Sequence, residues 1–441
     1  MKTNRFTFVA YGLISTSIAA YLLLGYNVAR ENFYPLFAIF VLLFIGYLYY
    51  VKQTFKNDEL FKIGVLFRIL LVFSTPVLSQ DFYRFIWDGH MVLNGLNPYT
   101  NKPEWLIETI TFPNASLLYE KMGSLSQSNF SNYPPINQLF FLLSAFIGGK
   151  SYFVSMLVLK VFIVLADIGI YHYGKKILIH IDKNPHLIFW YFLNPLVIIE
   201  LTGNLHFEGV MLFFLIVGLY LIILKNWLKS AIFIALSIAT KLLPLILLPL
   251  FLNHLGFKKS VRFYLAILGM TCLFFLPFIN EDFLQNYTDT IALWFVNFEF
   301  NASIYYLIRE IGYQIKGYNV IQTVGKITPI LTVLIVLCFA FFRNNKNISG
   351  LITNALLFLS LYFFISTTVH PWYVISIILL SIFTNYKYPI LWSFCVVFSY
   401  YAYSLEPFKE NLVLILFSYA FVYLYFFYEL YHNYKKTPLK R

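Results

Sequence analysis

Residues 80–99 read QDFYRFIWDGHMVLNGLNPY and gather two carboxylates, a guanidinium and several aromatic rings. On a helix, Asp81, Arg84 and Asp88 fall at i, i+3 and i+7 and share one face. Phe82, Ile86, Gly89 and Leu93 share another, apolar face, and Gly95 followed by Asn97-Pro98 ends the segment. The pattern predicts an amphipathic helix at a membrane surface. A carboxylate held there is placed to take a proton from a molecule whose tail is in lipid and whose head is in water. The same charges also describe a solvated helix with an i,i+3 ion pair, so the remainder of the chain has to separate the two.

Four further groups carry chemistry. Asn132-Tyr133-Pro134-Pro135 closes the same loop and fixes extended backbone before the next apolar helix. Asn194-Pro195 is followed by Glu200, Gly203, Asn204, His206 and Glu208; Glu200 sits near the end of an apolar run, and Asn204, His206 and Glu208 are suited to hold sugar hydroxyls. The His206–Glu208 spacing is common and no companion ligand set accompanies it, so no metal is expected. Lys241 stands alone in SIATKLLPLILLPLF, as a point charge for a phosphate or as a lysine marking the interface. His370 in His370-Pro371-Trp372-Tyr373 suits a phosphate oxygen or a proton relay, whereas Trp372 and Tyr373 also fit an interfacial aromatic belt. Lys160, Asp167 and Arg68 lie inside apolar runs and read better as a static buried ion-pair group than as a transport relay. Glu299 is a weak candidate for a second acid.

These groups sit on a chain of 441 residues that is 60% hydrophobic, 21% aromatic and only 12% charged, against about 25% charged in a soluble domain. Its mean hydropathy is +0.71. The class is an all-α, polytopic integral membrane protein. Much of the net charge of +12 lies in short connections, at 175–176, 225–229 and 258–259, and in the tail 435–441, which is a positive-inside pattern and implies no nucleic acid. The three cysteines lie in apolar runs and suggest no disulfide framework. The first apolar run lacks an A-x-A cleavage site and reads as a span. Apolar runs near 6–26, 33–51, 61–79, 152–173, 187–202, 207–224, 261–279, 326–342, 351–367, 372–386, 388–404 and 411–430 predict about 12 spans. Charge bias makes 136–149 a re-entrant or surface helix on the outer side. It makes 230–252 a hairpin of two half-helices turning near Thr240-Lys241, which must line a polar cavity or be buried. The polar loops, 80–135 above all, then share the extracytoplasmic face. No GxxxxGK[ST] or GxGxxG motif occurs, which argues against an ATP-driven pump.

In order, the segments are Asp81-Phe82-Tyr83-Arg84 to Asp88-Gly89, Gly95 to Tyr99, Tyr133 to Pro135, Asn194 to Glu208, Ala239 to Pro244, and His370 to Tyr373. This ordered set resembles the polyprenol-phosphate-sugar-dependent glycosyltransferases of the GT-C superfamily. Within it, the chain is most similar to the bacterial mannosyltransferase-like branch, related to the GPI-anchor enzyme that adds the first mannose. The resemblance implies a single GT-C-like domain over 1–441, with 80–135 as its extracytoplasmic catalytic loop in a bacterial plasma membrane. It implies an inverting hexosyltransferase that moves mannose from a polyprenyl-phosphate donor to a glycan, lipid or protein hydroxyl, without a cofactor. Asp81 would be the base, with Asp88 beside it. Lys241, His370 and Arg84 would meet the donor phosphate, and Tyr83, Trp87, Tyr133, Glu200, Asn204, His206 and Glu208 the sugar or acceptor. Many relatives carry Asp-x-Asp where this chain has Ser79-Gln80-Asp81, which leaves Asp81 as the base and argues against a metal held by paired acids. The rival class is a transporter or flippase of a lipid-linked saccharide; the gathering of polar motifs at one face counts against it.

Overall fold

The computed structural model describes residues 2–53 and 55–436, with side chains described for 8–53 and 55–435; the end of the basic tail, 437–441, lies outside the described residues. Among the described residues the regular secondary structure is all helical, apart from an isolated bridge between Phe300 and Thr368. Seven helices among the described residues are long and apolar enough to cross a membrane, including Phe33–Lys52, Tyr152–His180 and Ile348–Ile365. An eighth forms if Pro185–Phe192 and Pro195–Gly203, bent by 55° at Asn194-Pro195, count as one span. Five shorter apolar helices of 10–17 residues complete the set. The runs expected at 61–79 and 388–404 do not form single long helices. The first is Asn57–Val72 followed by irregular chain, and the second splits into Tyr388–Cys395 and a 3-10 stretch, Val396–Ser404.

Asp81–Leu93 differs most from expectation. It does not lie on a surface: residues on both of its faces, from Phe82 and Arg84 to His90 and Met91, are buried. Its apolar side packs on Pro135–Gly148, with the Phe85 and Phe141 rings stacked at 4.6 Å. Gly89 makes that approach possible, because a Cβ there would stand 2.2 Å from the Phe141 carbonyl oxygen. The polar side is covered by the loop that follows, through Phe112 against Trp87 and the short helix Ala115–Lys121.

The predicted break at residue 241 is present. Trp227–Thr240 runs antiparallel to Glu208–Ile223, with Ser230 donating to the Gly218 carbonyl at 2.9 Å and Ser237 to that of Met211 at 2.7 Å. Lys241 is then extended (φ −146°, ψ 137°), and the chain returns as Leu243–Leu250 and Phe251–Leu255. At its far end Asn253 donates to the Ala340 carbonyl at 2.6 Å. Ala340 lies roughly three turns beyond Thr328 of the same helix, and Thr328 lines a cavity beside Trp294 and Tyr373. The two halves therefore meet with their junction, Lys241, at the polar end of the bundle.

The buried ions of the core are all engaged. Arg68 Nε donates to Asp167 at 2.9 Å, its Nη1 to the Gly64 and Phe192 carbonyls, and Tyr191 donates to Asp167 at 2.8 Å. Lys160 Nζ donates to the Leu71 carbonyl at 2.7 Å and the Ser74 carbonyl at 2.5 Å, closing the C-terminal end of Asn57–Val72 just before the irregular chain that leads to Asp81. Arg68 and Asp167 thus form a static buried ion pair, whereas Lys160 stands apart from it and is held by the Leu71 and Ser74 carbonyls rather than by a counter-charge.

Candidate active site

A cavity of about 350 Å3 opens where the irregular chain 73–80, the hairpin tip at Lys241, the turn at His370 and the segment 290–298 converge. Among its lining residues are Arg30, Ser79, Asp81, Arg84, Tyr133, Lys241, Trp294, Phe298, His370, Trp372, Tyr373 and Tyr403. A second, more apolar cavity of about 210 Å3 adjoins it. Tyr133, Lys241, Trp294 and Tyr373 belong to both walls, and Glu208, Met211, Leu242, Leu243 and Phe363 line the second alone.

Asp81 is the one carboxylate on the wall of the larger cavity. It opens its helix, where the unpaired N–H groups favour a negative charge, and its own N–H donates to Ser79 Oγ at 3.3 Å. Burial raises its carboxyl above the ordinary range; Lys241 pulls it down, Glu208 pushes it up, and a hydrogen bond with Ser79 pulls it down again. A carboxylate so poised holds a proton more firmly than a solvated one, which is what a general base requires. Serine at the position where relatives place an acid thus has a structural task beside Asp81.

The cations differ in how far their charge is spent. Lys241 Nζ lies 2.8 Å from Glu208 Oε1. Arg84 gives Nε to Asp88 at 2.6 Å and Nη1 to the carbonyls of Asn129, at 3.0 Å, and Ser126, while its buried Nη2 has no partner. His370 is stacked between Phe300 and Trp372, with ring centroids at 5.1 and 4.3 Å. Burial, then Lys241, push it down to about 3, so at neutral pH it is an uncharged ring. Its Nδ1 is buried without a partner.

Behind this wall lies a second set of polar groups. His206 stacks on Trp372 at 3.7 Å, so Trp372 is held between two imidazoles. Burial, Lys241 and His370 together keep His206 neutral. Glu200 lies 3.4 Å from His206, accepts from Asn204 at 3.4 Å and accepts a short hydrogen bond from Tyr400. Asn204 Oδ1 in turn accepts from the Leu78 N–H at 3.0 Å, three residues before Asp81.

The structure therefore brings Asp81, Arg84, Tyr133, Lys241 and His370 to one cavity and sets Glu208 at its boundary. Asp88, Trp87, Tyr83, Glu200, Asn204 and His206 do not line either cavity. Asp88 is enclosed between Arg84 and Gln138, Trp87 is buried against Phe112 and Tyr119, and Tyr83 rests on Phe82. Glu299 engages Arg309 at 2.6 Å, away from the cavity, although its neighbour Phe298 is on the wall. Sequence reading missed Arg30, Trp294 and Tyr403, which lie outside every recognisable segment. Among the described residues, no group of three or more His, Cys, Asp or Glu is placed to hold a metal.

The model of the family described as alpha-(1->6)-mannopyranosyltransferase, N-terminal domain, matches residues 9–255, more than half of the chain. The chain is similar to alpha-(1->6)-mannopyranosyltransferase A of Corynebacterium glutamicum, at 22% identity over 358 residues, covering 72% of this chain and 69% of that protein. It is also similar to the protein of the same name from Mycobacterium tuberculosis, at 25% identity over 214 residues, 47% of this chain and 40% of that one.

Proposed function

This chain belongs to the alpha-(1->6)-mannopyranosyltransferase N-terminal domain family, as a GT-C membrane hexosyltransferase, and from that premise we propose that it transfers mannose from a polyprenyl-phosphate donor to an acceptor hydroxyl. The acceptor is a glycan, lipid or protein that presents the hydroxyl at the extracytoplasmic face of a bacterial plasma membrane, where the loop 80–135 helps to build the site. By the names of its relatives, the new bond is α-(1→6).

One observation carries this reading. A half-buried carboxylate, Asp81, shares a cavity wall with Lys241, Arg84 and His370, and that cavity adjoins an apolar one. The apolar side suits the first isoprene units of the donor, and the boundary at Lys241 suits its phosphate. Asp81 accepts the proton of the acceptor hydroxyl as the oxygen attacks the anomeric carbon. The bond from that carbon to the phosphate oxygen breaks on the opposite face, which inverts the configuration, and polyprenyl phosphate departs with the electron pair. Charge grows on its oxygens, so the Lys241 ammonium, an N–H of the neutral His370 and the field of the Arg84 guanidinium, all on the cavity wall, lower the barrier by stabilising it there. Tyr133 and Glu208 stand nearest the boundary and take the sugar. Glu200, Asn204 and His206 act from behind the wall.

The test is transfer of radiolabelled mannose from polyprenyl-phosphate-mannose to a membrane extract by the purified protein, with Asp81→Asn alongside. Wild type is expected to move label and the variant to lose on the order of 10²–10⁴ in rate. Near-normal transfer by Asp81→Asn would remove Asp81 as the base. No transfer from any polyprenyl-phosphate sugar would remove the donor assignment.

A further inference from the structure

Three basic side chains stand on the cavity wall, Arg30, Arg84 and Lys241. An anionic donor needs charge that the protein has not already used. Lys241 is neutralised by Glu208 at 2.8 Å. Arg84 is neutralised by Asp88 at 2.6 Å, and its remaining Nη2 is buried behind the wall. Arg30 is different. Its Nε is 3.4 Å from Glu31, a neighbour whose side chain is 61% exposed, and a solvated pair of that kind contributes little. Among the described residues, neither of its Nη groups takes part in a hydrogen bond.

Arg30 is nonetheless held in place. It lies in the connection between Lys2–Tyr26 and Phe33–Lys52, with its guanidinium 4.9 Å from the centre of the Tyr403 ring, which is itself part of the wall. Phe33, three residues later, packs edge-on against Tyr401 at 5.2 Å and fixes the connection against the same 3-10 stretch. A guanidinium resting on an aromatic face keeps its planar N–H edge free, and that edge matches two oxygens of a phosphate.

We propose that Arg30 binds the phosphate of the anionic lipid donor, as a phosphate-binding residue in addition to those the motifs mark. This rests on the polyprenyl-phosphate reading above. Arg30 then supplies the uncommitted positive charge of the site, while the Lys241–Glu208 pair orients the boundary with the apolar cavity. The connection between the first two helices thus contributes to the site directly.

The test uses the full-length protein in nanodiscs of phosphatidylcholine, a zwitterionic lipid that brings no competing anionic headgroup. Binding of a polyprenyl phosphate and of the uncharged polyprenol of the same length is measured for wild type, Arg30→Gln and Arg30→Lys. Wild type is expected to prefer the phosphate. Arg30→Gln should lose about tenfold or more of its affinity for the phosphate with polyprenol binding unchanged, and Arg30→Lys should fall between. Arg30→Gln with the wild-type preference would overturn the assignment while leaving the donor reading intact. Equal loss of polyprenol binding in both variants would also overturn it, because the defect would then not follow charge. A wild type with no preference for the phosphate would overturn the donor reading and this assignment together.

Discussion

Arg84 Nε stands 2.6 Å from Asp88 Oδ1 with both side chains buried, so these two charges of the Asp81–Leu93 helix face each other and Asp81 is the one carboxylate of that helix on the cavity wall. Asp88 completes its bonding through Gln138 Nε2 at 3.2 Å, and Gln138 also reaches Ser131 at 2.8 Å. The two aspartates of one motif thus have different tasks: one is presented to the cavity, and the other ties the helix to the Pro135–Gly148 helix and to the loop in front of it.

Asp88→Ala should therefore act on the fold. It leaves the Arg84 guanidinium buried without its counter-charge, which costs about 3–5 kcal/mol. Asp88→Asn keeps a hydrogen-bond acceptor and should cost less. Asp81→Asn should change stability by about 1 kcal/mol or less, since it removes no buried ion pair. Chemical unfolding of the detergent-solubilised variants checks this, and an Asp88→Ala protein as stable as wild type would show that the pair holds nothing.

A second prediction concerns pH. Burial raises the Asp81 carboxyl above its ordinary value, Lys241 lowers it and Glu208 raises it. A base acts only when ionised, so the rate should fall as pH drops through this raised value, in a limb above the usual carboxylate range. Removing a nearby cation favours the protonated acid, so Lys241→Gln should move the limb to higher pH. Removing a nearby anion does the reverse, so Glu208→Gln should move it to lower pH. The pH profile of kcat/KM for the three proteins reads both shifts. Shifts in the same direction would disconnect Asp81 from the limb.

Much of this arrangement was legible in the sequence, for physical reasons that can be named. A lysine between two apolar half-helices calls for a turn in place of a straight span, and the chain does double back there, at Lys241. The order of the polar segments placed Asp81, Tyr133, Lys241 and His370 at one end of the bundle, and one cavity collects them. Other features were hidden. Helical periodicity shows which residues share a face but not what covers that face, so the enclosure of Trp87 and Asp88 by the loop that follows could not be foreseen. Asp81 and Arg84 are three residues apart, but the ion pair is Arg84–Asp88, which leaves the i,i+3 pairing unused. Arg30 carries no motif at all: it reaches the site because Phe33 and Tyr401 pack together, a contact spanning most of the chain.

The Gly89 position yields a third prediction. A methyl group there would meet the backbone oxygen of Phe141 at 2.2 Å, and a backbone atom cannot turn aside as a flexible side chain can. Gly89→Ala should force the two helices apart and disturb the Phe85–Phe141 stack, with a cost of about 1–3 kcal/mol for overpacking. Transfer activity should fall with it, because the displaced helix carries Asp81. Gly95→Ala is the control. Gly95 has φ of +74° but open space around it, so its cost is backbone strain of roughly 1 kcal/mol. Equal stability of the two variants would show that the close approach is not tight.

The transporter reading makes the opposite demand on the membrane interior, and that yields the last prediction. A relay needs ionisable groups whose partners exchange during a cycle. Here Lys160 is fixed by the Leu71 and Ser74 carbonyls, and Arg68, Asp167 and Tyr191 form one closed hydrogen-bonded group joining three helices. Neither group lines the cavity. Lys160→Met replaces the ammonium with an apolar side chain of similar length, and Asp167→Asn keeps the shape of the carboxyl. Both should lower stability, and both should leave the transfer rate per folded molecule unchanged. Measuring active-site-normalised transfer beside movement of the lipid-linked sugar between liposome leaflets separates the two readings. A transferase retains the first in both variants. If transfer is lost in folded protein, or if wild type moves intact donor across the bilayer and Lys160→Met does not, the buried charges belong to a transport cycle.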